Sequence, residues 1–144
     1  MQTRPLYSLA CLTALALCGC AKDSTSVLTD KRWMLVQIDD FPLTLSSYSP
    51  TTQSYLKFAA DGKRTVGLGP CNSFSGQYSL GGSGQQLSIS AQAATKATCG
   101  GQNIEDKYLT ILPLTARFEI VGQELRLYDA SAAQPRLLFK QAPQ

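Results

Sequence analysis

The chain has no histidine among its 144 residues. That absence excludes Cys-His dyads, Ser-His-Asp triads and any zinc site that needs imidazole. Charge is also sparse, with 13 basic against 10 acidic residues and a formal net charge of +3. The basic residues fall in pairs, Lys31-Arg32 and Lys63-Arg64, with no aromatic ladder between them. Nucleic acid is therefore not an expected partner. No Cys-x-x-Cys pair is present, so the sequence lacks the dithiol redox motif. Carboxylates do not gather either. Asp39-Asp40 and Glu105-Asp106 are neighbours, but adjacent residues on a strand point to opposite faces. Neither a cofactor nor a metal is expected, and no residue is assigned a catalytic role.

Long apolar runs are limited to one, at the start. Arg4 precedes Leu6 to Leu17, a stretch dominated by Leu and Ala. It has the length of a secretory h-region and falls short of the ~20 residues a membrane span needs. The run ends in Leu17-Cys18-Gly19-Cys20, which resembles a bacterial lipobox. Cys20, preceded by small Gly19, is the expected site of fatty acylation, palmitate being a typical chain. Cys18 follows bulky Leu17 and fits less well. An ordinary cleaved signal is the alternative. Residues 1–19 then form a signal peptide and 20–30 a lipidated cysteine with a polar tether, "AKDSTSVLTD". More than one acyl chain anchors stably, since each buried methylene contributes about 0.8 kcal/mol. Ala21, with no Asp after the acylated cysteine, points to the outer membrane, with the domain facing the periplasm.

Residues 31–141 make one domain's worth of chain. Its segments alternate between short glycine turns. In "RFEIVGQELRLYD" a turn at Gly122-Gln123 sets Ile120 against Leu125 and Phe118 against Leu127, and pairs Glu119 with Arg126 on the other face. In "QYSLGGSGQQLSIS" Tyr78 and Leu80 face Ile89 and Leu87. "SYLKFAADGKRTVGL" is a third hairpin, turning at Asp61-Gly62. A three-residue bulged loop there would oppose Leu56 and Val66; a two-residue loop would not. "RWMLVQI" and "RLLFK" read as the first and last strands, and Leu43 to Ser54 as a long polar loop. In "GGQNIEDKYLTILPLT", Ile104, Tyr108, Ile111 and Leu112 recur at helical spacing. Asn103 is the expected cap, and Glu105 and Asp106 compensate the helix dipole. The fold class is α+β, mostly β: an antiparallel, hairpin-rich sheet or partial barrel with one short helix packed on it.

Beyond the leader, Cys71 and Cys99 remain. In an exported domain two such residues usually pair. Closing that loop is worth ~3–4 kcal/mol on the chain-entropy model. A free thiol is the alternative, with only Lys96 near Cys99 to activate it. In the disulfide reading, Asn72 is a turn residue tolerant of left-handed backbone, Gly76 a bend and Phe74 core.

The order "RWMLVQI", "LKFAADGK", "GPCNSFSGQY", "TKATCG" and the closing hairpin resembles the META domain, also called the HslJ family, from Arg32 to about Lys140. Pro70 stands where that pattern usually carries Gly before Cys-Asn. The resemblance implies a compact, mostly β domain of bacterial envelope proteins, often lipoproteins, with heat-inducible expression and a link to novobiocin tolerance or envelope stress in some members. It carries over no catalytic residues. The expected function is a non-enzymatic envelope lipoprotein, partnered by the membrane through its anchor and by another envelope protein. The alternative is a small-molecule or lipid binder using the barrel mouth, with Trp33, Phe58, Tyr78 and Tyr108 as lining residues.

Overall fold

The computed structural model describes residues 24–43, 53–82 and 84–143. The leader, Cys20 and most of the Leu43–Ser54 loop lie outside them. Ten strands form one antiparallel system: β1 (Arg32–Ile38), β2 (Phe41–Pro42), β3 (Tyr55–Ala59), β4 (Arg64–Leu68), β5 (Ser73–Leu80), β6 (Leu87–Ile89), β7 (Ala93–Ala94), β8 (Arg117–Val121), β9 (Glu124–Tyr128) and β10 (Leu137–Gln141). The main path runs β6-β5-β4-β3-β1-β10-β9-β8, with β2 on β1 and β7 on β5. The two ends of this path meet. Gln86 bridges Arg117, and two main-chain bonds fasten the seam, Leu87 N–H to the Ala116 carbonyl (3.1 Å) and Phe118 N–H to the Gln85 carbonyl (2.9 Å). The sheet is thus nearly a closed barrel, which removes most of its exposed edges.

Two of the hairpins form in the expected register. Phe118 opposes Leu127, Ile120 opposes Leu125 and Glu119 opposes Arg126, around Gly122 at φ 61°. Tyr78 opposes Ile89 and Leu80 opposes Leu87. The third takes the second of the two registers considered, the one that does not set Leu56 against Val66. Its connection is Ala60 to Lys63, a 3₁₀ turn with Gly62 at φ 63° and Lys63 at φ 48°, so Lys57 opposes Val66 and Leu56 opposes Gly67. The reason is steric. Any Cβ at position 67 would overlap the Phe74 ring and the Tyr55 carbonyl, so only glycine fits opposite Leu56 on that inner face.

Helix α1 (Ser24–Leu28) lies inside the stretch read as tether. Leu28 is fully buried, and its carbonyl accepts a 2.9 Å hydrogen bond from Trp33 Nε1. The packed domain therefore begins by Leu28, three residues before Lys31, because Trp33 needs a partner for its buried N–H. Helix α2 (Gln102–Ile111) continues into a 3₁₀ turn, Leu112–Leu114, with Pro113 ending the run. Gly101 caps it, so Asn103 is a helical residue and makes no cap bond. Tyr108 enters the barrel between Phe74 of β5 and Phe139 of β10, at 5.5 and 6.1 Å between ring centroids. Those strands are separated by three others in the sheet. One helical side chain thus reaches across the interior. Phe58 and Tyr78 pack edge to face at 5.1 Å.

Candidate functional site

The cysteines are joined. Cys71 and Cys99 form a disulfide that ties the β4–β5 connection to the segment entering α2. Beside it lies a hydrogen-bond cluster built from residues far apart in sequence. Asn72, only 3% exposed, satisfies its whole carboxamide. Its oxygen accepts from Ala97 N–H (2.7 Å) and Thr95 Oγ1 (2.8 Å). Its nitrogen donates to the Ala97 carbonyl (2.8 Å) and to Glu105 Oε1 (2.5 Å). Donating to and accepting from one residue is what a peptide group does in an antiparallel ladder. The Asn72 side chain therefore extends the β5–β7 pairing past the point where the main chain turns away. Asn72 is not the left-handed turn residue its neighbours suggest, and Gly76 sits within β5 rather than at a bend, its missing side chain leaving room for Gln92.

Glu105 is the second half of the cluster. It lies in the first turn of α2, where a carboxylate suits the helix dipole, yet it is only 2% exposed. Its Oε2 accepts main-chain N–H groups from Cys71 (2.8 Å) and Asn72 (2.7 Å). A Cβ at position 69 would collide with that oxygen. The Gly-x-Cys-Asn block is now explained residue by residue: Gly69 makes room for the carboxylate, Cys71 is the covalent staple, and Asn72 bridges strand to helix. Sequence reasoning missed Glu105, although a signal existed. At spacings of three and seven it shares the helix stripe of Tyr108 and Leu112.

A shallow groove of about 400 Å³ runs between the 94–98 segment and α2, lined in part by Ala94, Lys96, Gln102, Asp106 and Leu109. Gln102 Oε1 is buried without a partner, while its nitrogen donates to Asp106 (2.7 Å). The four residues expected to line a mouth are elsewhere. Trp33, Phe58 and Tyr108 are fully buried and Tyr78 is 6% exposed, all within the main core. Burial pushes both phenols up, Tyr108 well above its ordinary value. Tyr78 donates to the Ala59 carbonyl (3.1 Å), whereas Tyr108 Oη has no partner among the described residues. A second charged cluster pins α2 to the strands. Arg136 donates from Nε to Asp39 and from a terminal nitrogen to Asp129 (2.9 Å), and Lys107 lies 3.4 Å from Asp39. The Arg136 hydrogen bonds hold both aspartates below the ordinary carboxylate value, aided at Asp129 by the Ser131 and Ala132 N–H groups. Among the described residues no three Cys, Asp or Glu side chains gather closely enough to hold a metal ion, and no helix is long and apolar enough to cross a membrane.

Residues 26–144 match the META domain. The chain belongs to the META-domain family. Two of the solved structures it resembles are an NMR structure from Burkholderia xenovorans, at 19% identity, TM-score 0.63 and full coverage of both chains, and a DUF4847-family protein from Bacteroides vulgatus, at 13% identity and TM-score 0.55 over 81% of this chain and 94% of that one. A further NMR structure matches at 21% identity and TM-score 0.59, over 81% of this chain and 92% of the other. These likenesses concern the fold. No curated protein matches the chain. As a META domain, the chain gains an account of the Gly-x-Cys-Asn block in a structural clamp.

Proposed function

We propose that this META-domain protein is a non-enzymatic lipoprotein of the bacterial envelope. In this reading it is acylated at Cys20, held at the outer membrane facing the periplasm, and contributes to envelope-stress or novobiocin-type tolerance by contact with another envelope component. The observation that carries it is the use made of the reactive side chains. Both domain cysteines are spent in one covalent bond, and the buried carboxylate Glu105 is taken up by three hydrogen bonds to the same loop. An enzyme would leave such groups facing a substrate. The export signal and the lipobox support the compartment, and the disulfide suits it.

The reading predicts that the mature protein carries fatty acyl chains on Cys20, measurable by mass spectrometry. Cys20→Ser should move it from the membrane to the soluble periplasmic fraction. Deletion should sensitise cells to heat or novobiocin, and recovery of neither phenotype would remove the stress assignment. A second reading, a small-ligand binder, draws support from the groove beside α2, where Gln102 Oε1 offers an unused acceptor. A fatty-acid probe would have to displace core aromatics, so saturable binding of a small polar probe at the groove is the observation that would favour it.

A further inference from the structure

The outer face of the barrel is chemically uneven. Along β1, β3, β4 and β10 the buried residues alternate inward, among them Trp33, Leu35, Leu56, Phe58, Thr65, Leu137 and Phe139. The partners that alternate outward and reach solvent are Arg32, then Tyr55, Lys57 and Ala59, then Arg64, Val66 and Leu68, then Leu138 and Lys140; Met34 shares that side of β1 but is only 7% exposed. Those outward positions include four cations and no carboxylate. The flanks differ. On β9, Arg126 is matched by Glu124 and by Glu119 of β8, and the outward face of β5 is Ser73, Ser75 and Gln77. An ordinary solvated face mixes both signs, as the β8–β9 side does here.

Within the uneven face the register places Arg32 directly opposite Lys57. Arg64 lies two residues along on β4 from Val66, which opposes Lys57, so it is their diagonal neighbour. Like charges in direct opposition are destabilising. The fold gives little relief: Asp30 sits 3.8 Å from Lys57, with both side chains well exposed, and Arg32 stacks on the Tyr55 ring at 3.9 Å. No ion pair among the described residues reaches Arg32 or Arg64, whereas Lys140, at the border with β9, lies directly opposite Glu124. Cations left uncompensated among apolar and tyrosine side chains are what an anionic phospholipid surface recruits.

The chain enters the domain at this same place. Asp30 donates its N–H to the Phe58 carbonyl of β3 (2.8 Å), and helix α1 precedes it. Three residues separate Cys20 from Ser24, so the reach between them is about 14 Å at most. We propose that the Arg32–Lys57–Arg64 face lies on the membrane, binding anionic phospholipid headgroups and so fixing the orientation of the barrel. The proposal deepens the lipoprotein reading and rests on it for placement beside a bilayer, while the binding itself needs no acyl chain.

The test separates the two. Unacylated mature chain carrying Cys20→Ala is titrated with vesicles of phosphatidylethanolamine and phosphatidylglycerol, or of neutral phosphatidylcholine, at low and high salt. Binding is expected only to the anionic vesicles and should weaken with salt. Each cation near the surface is worth about fivefold, so Arg32→Gln/Lys57→Gln/Arg64→Gln should weaken binding roughly 100-fold. Arg117→Gln, on the other side of the barrel, should leave it unchanged. Urea unfolding checks that the triple variant is folded, which relief of the opposed charges favours. Equal binding to neutral vesicles, equal binding by the triple variant, or equally tight binding of duplex DNA would each overturn the proposal. Absence of acyl groups on Cys20 would overturn the anchor instead and leave the vesicle result standing.

Discussion

Glu105→Gln isolates the clamp with the smallest change of shape. One side-chain oxygen would remain to take the Cys71 and Asn72 main-chain N–H groups. The new amide nitrogen would then face Asn72 Nδ2 across the 2.5 Å now spanned by a hydrogen bond. Donor would meet donor in a site that is 2–3% exposed. Losing one carboxylate hydrogen bond and leaving a buried donor without a partner costs about 2–3 kcal/mol. For a domain of this size total stability is roughly 5–15 kcal/mol, so the effect is large. With a urea m-value of about 1 kcal/mol/M, the unfolding midpoint should fall by about 2 M. The assay is urea denaturation of the oxidised domain, followed by Trp33 fluorescence. Asn72→Ala provides the second arm. With that side chain gone the new amide faces no competing donor, so Glu105→Gln on that background should cost about 1 kcal/mol, a coupling of roughly 1–2 kcal/mol. Equal costs on both backgrounds, or a Glu105→Gln midpoint within error of the parent, would refute the clamp.

Replacing Cys71 and Cys99 with serine should lower stability by about 3–4 kcal/mol, measured by the same denaturation, and the unfolded but unreduced parent should show no thiol from either residue. Tyr108→Phe should be neutral or stabilising by about 1–2 kcal/mol, because its hydroxyl is buried without a partner; a loss of thermal stability would reveal an unseen one. Acid should destabilise the fold through Asp39 and Asp129. Their folded pKa values lie below the ordinary 3.8, so their contribution is complete above that value and is lost as pH falls through the folded values. Arg136→Gln should flatten this part of the profile of melting temperature against pH.

How much of this was legible beforehand depended on distance along the chain. The closing hairpin could be read because one register satisfied two requirements, apolar contact on one face and the Glu119–Arg126 match on the other. The hairpin at Asp61 stayed open between two registers, because the choice is fixed by the room that Gly67 leaves for the Phe74 ring, a contact with the next strand outside that hairpin. The disulfide followed from compartment and count, whereas the Asn72–Glu105 pairing crosses 33 residues. Each of those two residues had a sufficient local explanation, a turn for one and a helix dipole for the other. The local explanation concealed the contact. Leu28 was concealed the same way, one of two adjacent apolar residues in a polar stretch, with its carbonyl taken up by the indole nitrogen of Trp33.

The strand circuit closes through two main-chain bonds beside the Gln86–Arg117 bridge, while its neighbouring hairpins pair over as many as five residues each. Such a cylinder has a zip rather than a uniform wall. Thermal fluctuation should part it along this line first, exposing Leu87 and Phe118 amides to deuterium ahead of those in β1 and β10. Force applied between the two halves of the chain would begin its work there.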